Sequence, residues 1–415
     1  MNDDRPREAG SLIAFYSLIV SGKWLNRNRF EVYPRLFIAV SAAAILFIIF
    51  TSSGNLDWSG KPIGTDFCSF YAAGSLALQG NAADAYDPKL LYLKEKEVIN
   101  SSEIGYFTFT YPPMFLLILA PLAYFPYLAS LGLWLGATLA FYALMIRKIS
   151  GYRQAIIPAL AFPAVFLTIG HGQNAFLTTG LLAGALYYLD RKPDVAGIML
   201  GLLTFKPHLG IIIPIVLIAT GHWRVFVVAT VTTLALAAAS LAFFGLETWQ
   251  AFFASNALAF EVLDKGLLPY HKMQSLFANI RLMGASVSIA YTLQIIYAFL
   301  VICIVTWIWV KPADRLLKNA ALATSILMIT PFLLDYDLTI LSVAIACLAV
   351  YGSEHGFRGI PINLLVIAWL SSILFRLLNA SIPFPWAQLM LCVLLAKIYL
   401  LARESRQNNS EYDLS

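Results

Sequence analysis

Charge is the scarcest property of this sequence. Only 12% of its 415 residues are Asp, Glu, Lys or Arg, while 60% are hydrophobic. A water-soluble chain of this length needs a far more polar surface, which excludes a soluble globular domain. Cysteines are few and unpatterned: Cys68, Cys303, Cys347 and Cys392 share no motif spacing, and three lie in apolar runs. Neither a disulfide framework nor a zinc site is supported. Strand-like alternation is weak, which argues against a transmembrane barrel. There is no evident internal repeat or low-complexity tract. The first apolar run lacks a small-residue cleavage pattern, so a cleavable signal is not expected. The net charge is +5, but its basic residues are scattered between apolar segments, so no nucleic-acid partner is expected.

What the chain does have is long apolar runs, recurring from about Leu36 to Leu401. Each is near the ~20 residues that a helix needs to cross a hydrocarbon core. Backbone groups in lipid must be satisfied within one segment, so the expected fold is all-α, a polytopic transmembrane bundle with membrane lipids around it. About twelve crossings fit the runs. Residues 1–35 read as a cytoplasmic tail and an interfacial helix over "SLIAFYSLIVSGKWLNRNRF", 36–402 as the transmembrane domain, and 403–415 as a cytoplasmic tail. External loops fall at about 53–111 and 244–286, the first with short juxtamembrane helices such as the one expected at "LKEKEV".

Two topologies fit. In one, 113–126 is re-entrant and 195–220 is two short spans broken at Lys206-Pro207. In the other, 113–126 crosses and 195–220 is one kinked span. The first keeps the basic clusters (Arg147/Lys148, Arg191/Lys192, Lys311/Arg315/Lys318, His355/Arg358) on the cytoplasmic side, as the positive-inside tendency favours.

Polar side chains at membrane depth are costly and therefore functional candidates. Lys206, with His208 two positions on, can form an anion site beside the break at Pro207, or Lys206 can simply snorkel. "GHGQNAF" sets Gln173 and Asn174 in a tight turn, where amides bond sugar hydroxyls or cap a helix. Tyr111 opens "YPPM", a favourable helix start and an interfacial aromatic. "LPYHKMQSLFANIR" gathers His271, Gln274, Asn279 and Arg281 near one membrane surface. The same stretch also reads as a solvated amphipathic loop. Asp335 and Asp337 in "PFLLDYDLTIL" can face one cavity from a turn or cap a helix; two carboxylates alone make a poor divalent-cation site. Asp66 follows the first span in "GTDFCSFYAAG". Phe67, Phe70, Tyr71 and Gly74 follow it at helical spacing, a face suited to lying on the bilayer.

In order, "GTDF", "YPPM…APL", "GHGQN", "AGIMLGLLTFKPHLG", "MQSLFANIR" and "PFLLDYDL" resemble glycosyltransferase family 87 over about residues 36–350. That resemblance implies a GT-C fold and a polyprenyl-phosphate-sugar-dependent enzyme in a bacterial inner membrane. Its active site would face the periplasm. Mannose is the default sugar, a lipid or glycan the acceptor, and no cofactor is implied. Asp66 would be the general base, and Lys206, His208, His271 and Arg281 would cradle the donor phosphate. Tyr111, Gln173, Asn174, Gln274, Asp335 and Asp337 would contact sugar or acceptor. The late motif departs from the family in carrying "DYD" where some relatives have a histidine. Competing readings are an O-antigen polymerase or ligase, which would centre on Arg and His in a large late loop and depend on Arg281, and a lipid or solute transporter, which would show internal pseudo-symmetry.

Overall fold

The computed structural model describes residues 24–267, 270–357 and 360–412. Most of the expected interfacial helix, residues 11–23, and Arg358 of one basic cluster lie outside them. Among the described residues the chain is helical, with isolated β-bridges such as Met273 to Leu334 and no named strand. Its α-helices are α1 (Arg27–Phe50), α2 (Phe67–Leu78), α3 (Pro88–Ile99), α4 (Leu116–Leu122), α5 (Tyr127–Ser150) and α6 (Ile156–Leu160). Then come α7 (Pro163–His171), α8 (Ala175–Tyr188), α9 (Pro193–Leu202), α10 (Pro207–Gly210), α11 (Ile212–Ala219) and α12 (Trp223–Asp264). The last six are α13 (Leu276–Leu282), α14 (Val287–Val310), α15 (Arg315–Ile329), α16 (Leu341–His355), α17 (Ile362–Ser381) and α18 (Trp386–Tyr412).

Among the described residues seven helices are long and apolar enough to cross a membrane, or eight if the bent 153–171 pair counts as one span. The expected twelve is not reached by this criterion. The shortfall lies in apolar helices of 10–17 residues, among them Ala175–Tyr188 and Pro193–Phe205. At ~1.5 Å per residue such helices fall short of a ~30 Å core.

The two ambiguous segments both double back. Residues 193–205 run from Asp194, which is paired with Arg224, to the break at Lys206. Residues 207–219 then return to His222, which pairs with Asp190. Proline at the first position of α10 and the 3₁₀ turn before it make this reversal. Segment 113–126 also starts and ends at one end of the bundle. Tyr111 before it meets Gln173, while Phe125 accepts a bond from Tyr71 and Tyr127 donates to Ile63. Both segments thus follow the out-and-back path that the first of the two topologies expects.

Helix packing relies on small residues. A Cβ on Gly197 would sit 2.6 Å from Val228 Cβ, and one on Gly201 2.5 Å from Thr232 Cβ, so α9 and the first half of α12 touch almost backbone to backbone. Helix α12 breaks at Gly245 (φ 80°, ψ 166°). Its second half crosses the end of the bundle near Tyr86, whose ring is 5.7 Å from that of Phe252. The stretch expected as a loop from 244 is therefore helical to Asp264. A second correction concerns α2. Phe67 and Phe70 are fully buried and Gly74 lies against the Leu119 backbone, so this face packs on α4 and not on lipid.

Candidate active site

The turns at one end of the bundle bring the polar motifs together. Asp66 occupies the N-cap position of α2, yet its side chain makes no capping bond. The carboxylate is turned instead to α7–α8: Gln173 Nε2 donates to its Oδ2 at 2.8 Å. Its Oδ1 has only a long contact, 3.4 Å, from the Thr65 hydroxyl. Thr65 is itself 2.8 Å from His171 Nδ1, and the Asp66 N–H donates to the His171 carbonyl at 3.0 Å. Asp66 is half-buried.

Gly172 permits this clasp. Its φ of +65° ends α7, and a Cβ there would meet Phe67 Cβ at 2.5 Å. Gln173 is then fixed from its other end, where Oε1 accepts from Asn174 N at 3.1 Å and, at 3.4 Å, from the Tyr111 hydroxyl. Asn174 holds the N-cap position of α8 without a capping bond from its side chain, so capping does not account for it. Its amide atoms are buried and close to the Tyr111 hydroxyl, yet neither reaches good hydrogen-bond geometry among the described residues.

The late motif forms a 3₁₀ helix, Asp335–Ile340, in which the two aspartates take different partners. Lys206 Nζ donates to Asp337 Oδ1 at 2.6 Å, with both side chains 3% exposed. Asp337 Oδ2 also accepts from the Leu334 N–H at 3.2 Å. Arg376 Nη1 donates to Asp335 Oδ2 at 2.9 Å. Between them stands Tyr336, 5.3 Å from Lys206 Nζ and 6.1 Å, centroid to centroid, from the His171 ring. Its hydroxyl is within electrostatic range of Asp66, Asp335, Asp337 and Tyr111. His208 is within range of Lys206 and Asp337, and its ring lies 6.5 Å from that of Phe332.

The 270–281 segment meets this site beside the late motif. Gln274 N donates to the Leu333 carbonyl at 2.8 Å, and Gln388 Nε2 donates to the Gln274 carbonyl at 2.6 Å. The buried Gln274 amide makes no side-chain hydrogen bond among the described residues. Arg281 is turned to the carbonyls of Ala285 and Asp264, at 2.6 and 3.2 Å, and His271 is exposed. The structure thus joins Asp66, Tyr111, Gln173, Lys206, His208, Asp335 and Asp337 through the Tyr336 environment. It gives Arg281 a different set of partners.

Three residues absent from the sequence-based site now belong to it: His171, Tyr336 and Arg376. Arg376 carried a readable signal, since an arginine inside "SSILFRLL" is costly in lipid unless it has a partner. Its partner, Asp335, is 41 residues away and could not be read. Among the described residues no three His, Cys, Asp or Glu side chains converge as a metal site.

A family model described as glycosyltransferase family 87 matches residues 109–332, more than half of the chain. No curated protein and no solved structure matches.

Proposed function

Because the chain belongs to glycosyltransferase family 87, we propose that it moves a sugar, mannose by default, from a polyprenyl phosphate to a lipid-linked or glycan acceptor on the outer face of a bacterial inner membrane. The observation that carries this reading is the Asp66 carboxylate. It sits where a capping residue would, caps nothing, and is held through one oxygen while the other stays nearly free.

A base for an acceptor hydroxyl needs that arrangement. Gln173 fixes Oδ2, and Oδ1 takes the hydroxyl proton as the hydroxyl oxygen bonds to the anomeric carbon. The bond from that carbon to the phosphate oxygen breaks, its electron pair leaves with the polyprenyl phosphate, and configuration inverts. Charge developing on the phosphate is met by the cationic side of the site. Lys206 is already shared with Asp337, so it acts as an oriented ion pair with His208 beside it. Arg376 is 30% exposed and spends one nitrogen on Asp335, which leaves donors for phosphate oxygens. The Gln274 amide, without a side-chain bond, and the loosely held Asn174 amide suit sugar hydroxyls.

The test is to incubate purified protein with polyprenyl-phosphate mannose, glucose, galactose or arabinose and a lipid extract, and to seek a glycosylated lipid by mass spectrometry. Asp66→Asn and Asp66→Ala should fold and insert normally yet transfer nothing. Full transfer by either variant removes Asp66 from the role of base. Substrate flux across vesicles without any glycosidic product would replace this reading with a transporter.

A further inference from the structure

We propose that a cleft at the opposite end of the bundle is a phosphate-binding site, and that it holds the headgroup of an anionic phospholipid. The cleft, about 290 Å³, is lined by Thr220, His222, Trp309, Arg315 and Lys318 among others. Its remoteness follows from the helices. Helix α8 leaves Asn174 in the transferase site and ends at Tyr188, and α15 starts at Arg315 and ends just before the late motif. Each is 14 or 15 residues long, roughly 20 Å at ~1.5 Å per residue.

The cleft is built and not merely lined. Trp309 is buried, and its indole N–H donates to the Lys318 carbonyl at 2.8 Å, which fixes it as a wall. Arg315 lies over that ring, 5.4 Å from the centroid. Asp190 bridges Arg315 Nη2 and His222 Nε2, while Arg315 Nη1 is buried with no hydrogen-bond partner among the described residues. Lys318 forms no ion pair among the described residues. The other nearby carboxylate, Asp314, is committed to the N–H of Leu316 at 2.7 Å as a helix cap. Two permanent cations thus face the cleft with one shared acid, and a buried guanidinium nitrogen lacks an acceptor. A phosphate oxygen supplies it.

The surroundings favour a lipid over a free anion. Ile218, Trp223 and Val310 beside the cleft are exposed apolar side chains, suited to acyl chains below a headgroup. Basic pockets between helices at a membrane face recognise such headgroups, and each basic residue near the surface adds ~1 kcal/mol.

The experiment uses the full chain purified in neutral detergent. Phosphatidylglycerol, phosphatidylcholine or sodium phosphate is added, with binding read by native mass spectrometry and thermal unfolding. Wild type should retain phosphatidylglycerol and melt higher with it than with phosphatidylcholine. Arg315→Gln/Lys318→Gln should weaken that binding roughly ten-fold or more. Lys318→Gln alone, which breaks no ion pair, should weaken it by about five-fold. Lys265→Gln, exposed at the transferase end, should leave it unchanged. Equal retention of the two lipids, or wild-type binding by both cleft variants, overturns the proposal. Stabilisation by sodium phosphate, lost in the variants and without lipid preference, keeps the phosphate site and overturns the lipid as its occupant.

Discussion

Single residues carry the sharpest tests, because several buried charges have one partner each. Removing Lys206 leaves Asp337 buried and uncompensated. Lys206→Met should cost ~3–5 kcal/mol, visible as a large drop in melting temperature. The double variant Lys206→Met/Asp337→Leu should recover most of that stability while transfer stays low, which separates the pair's structural part from its phosphate-facing part. Glu95, on the short helix α3 outside the candidate spans, offers a pH test. Burial pushes its carboxyl up to about 8, opposed only by the Phe107 N–H at 3.2 Å. Below about 4.5 the group is protonated in folded and unfolded chains alike. Between there and about 8 only the folded chain keeps the proton, so stability should fall as pH rises, by up to ~1.4 kcal/mol per pH unit, and level off above. Glu95→Gln should flatten that slope in melting curves taken across pH; an unchanged slope would assign it to another group.

Elements depend on contacts that admit no side chain. Where α9 meets α12, Gly201→Leu drives a large group into Thr232, and overpacking of this kind costs ~1–3 kcal/mol. The expected result is a lower melting temperature and poorer yield, with the break at Lys206 displaced as well. Gly172→Ala acts on a different link. Positive φ and the Phe67 contact both resist a Cβ, so the turn should shift and pull Gln173 off Asp66. Transfer should then fall much more than stability does, as judged by kcat beside a thermal melt. Neither effect belongs to glycine's rarity in helices; both come from what stands opposite.

At the scale of the whole molecule, the out-and-back path of 193–219 and the reversal within 113–126 decide which polar turns share an end. Asp66, Gln173, Lys206 and Asp337 collect at one end; Arg191, Lys192, Lys311 and Arg315 flank turns at the other. By the positive-inside tendency the basic end is the one expected on the cytoplasmic side. Single cysteines test this. In a background lacking Cys303, Gly105→Cys should react with an impermeant thiol reagent added outside intact cells, and Lys192→Cys only after lysis. The reverse pattern would place transfer on the cytoplasmic side.

Composition and run length alone were enough to establish a helical membrane protein, since lipid leaves the backbone no other solution. Motif order was enough to suggest the family, and the acid after the first span stood out because charge is so rare here. The number of spans was not readable, since short apolar helices that double back have the same hydropathy as crossings. Nor were the partners. Gln173 reaches Asp66 across 107 residues and Lys206 reaches Asp337 across 131, and such pairings depend on how helices pack, which no local pattern encodes. The sequence therefore named the acid and the lysine. Tertiary structure alone decided that the acid is free of capping and that the lysine is already neutralised, because only the folded bundle brings an amide to one and a carboxylate to the other.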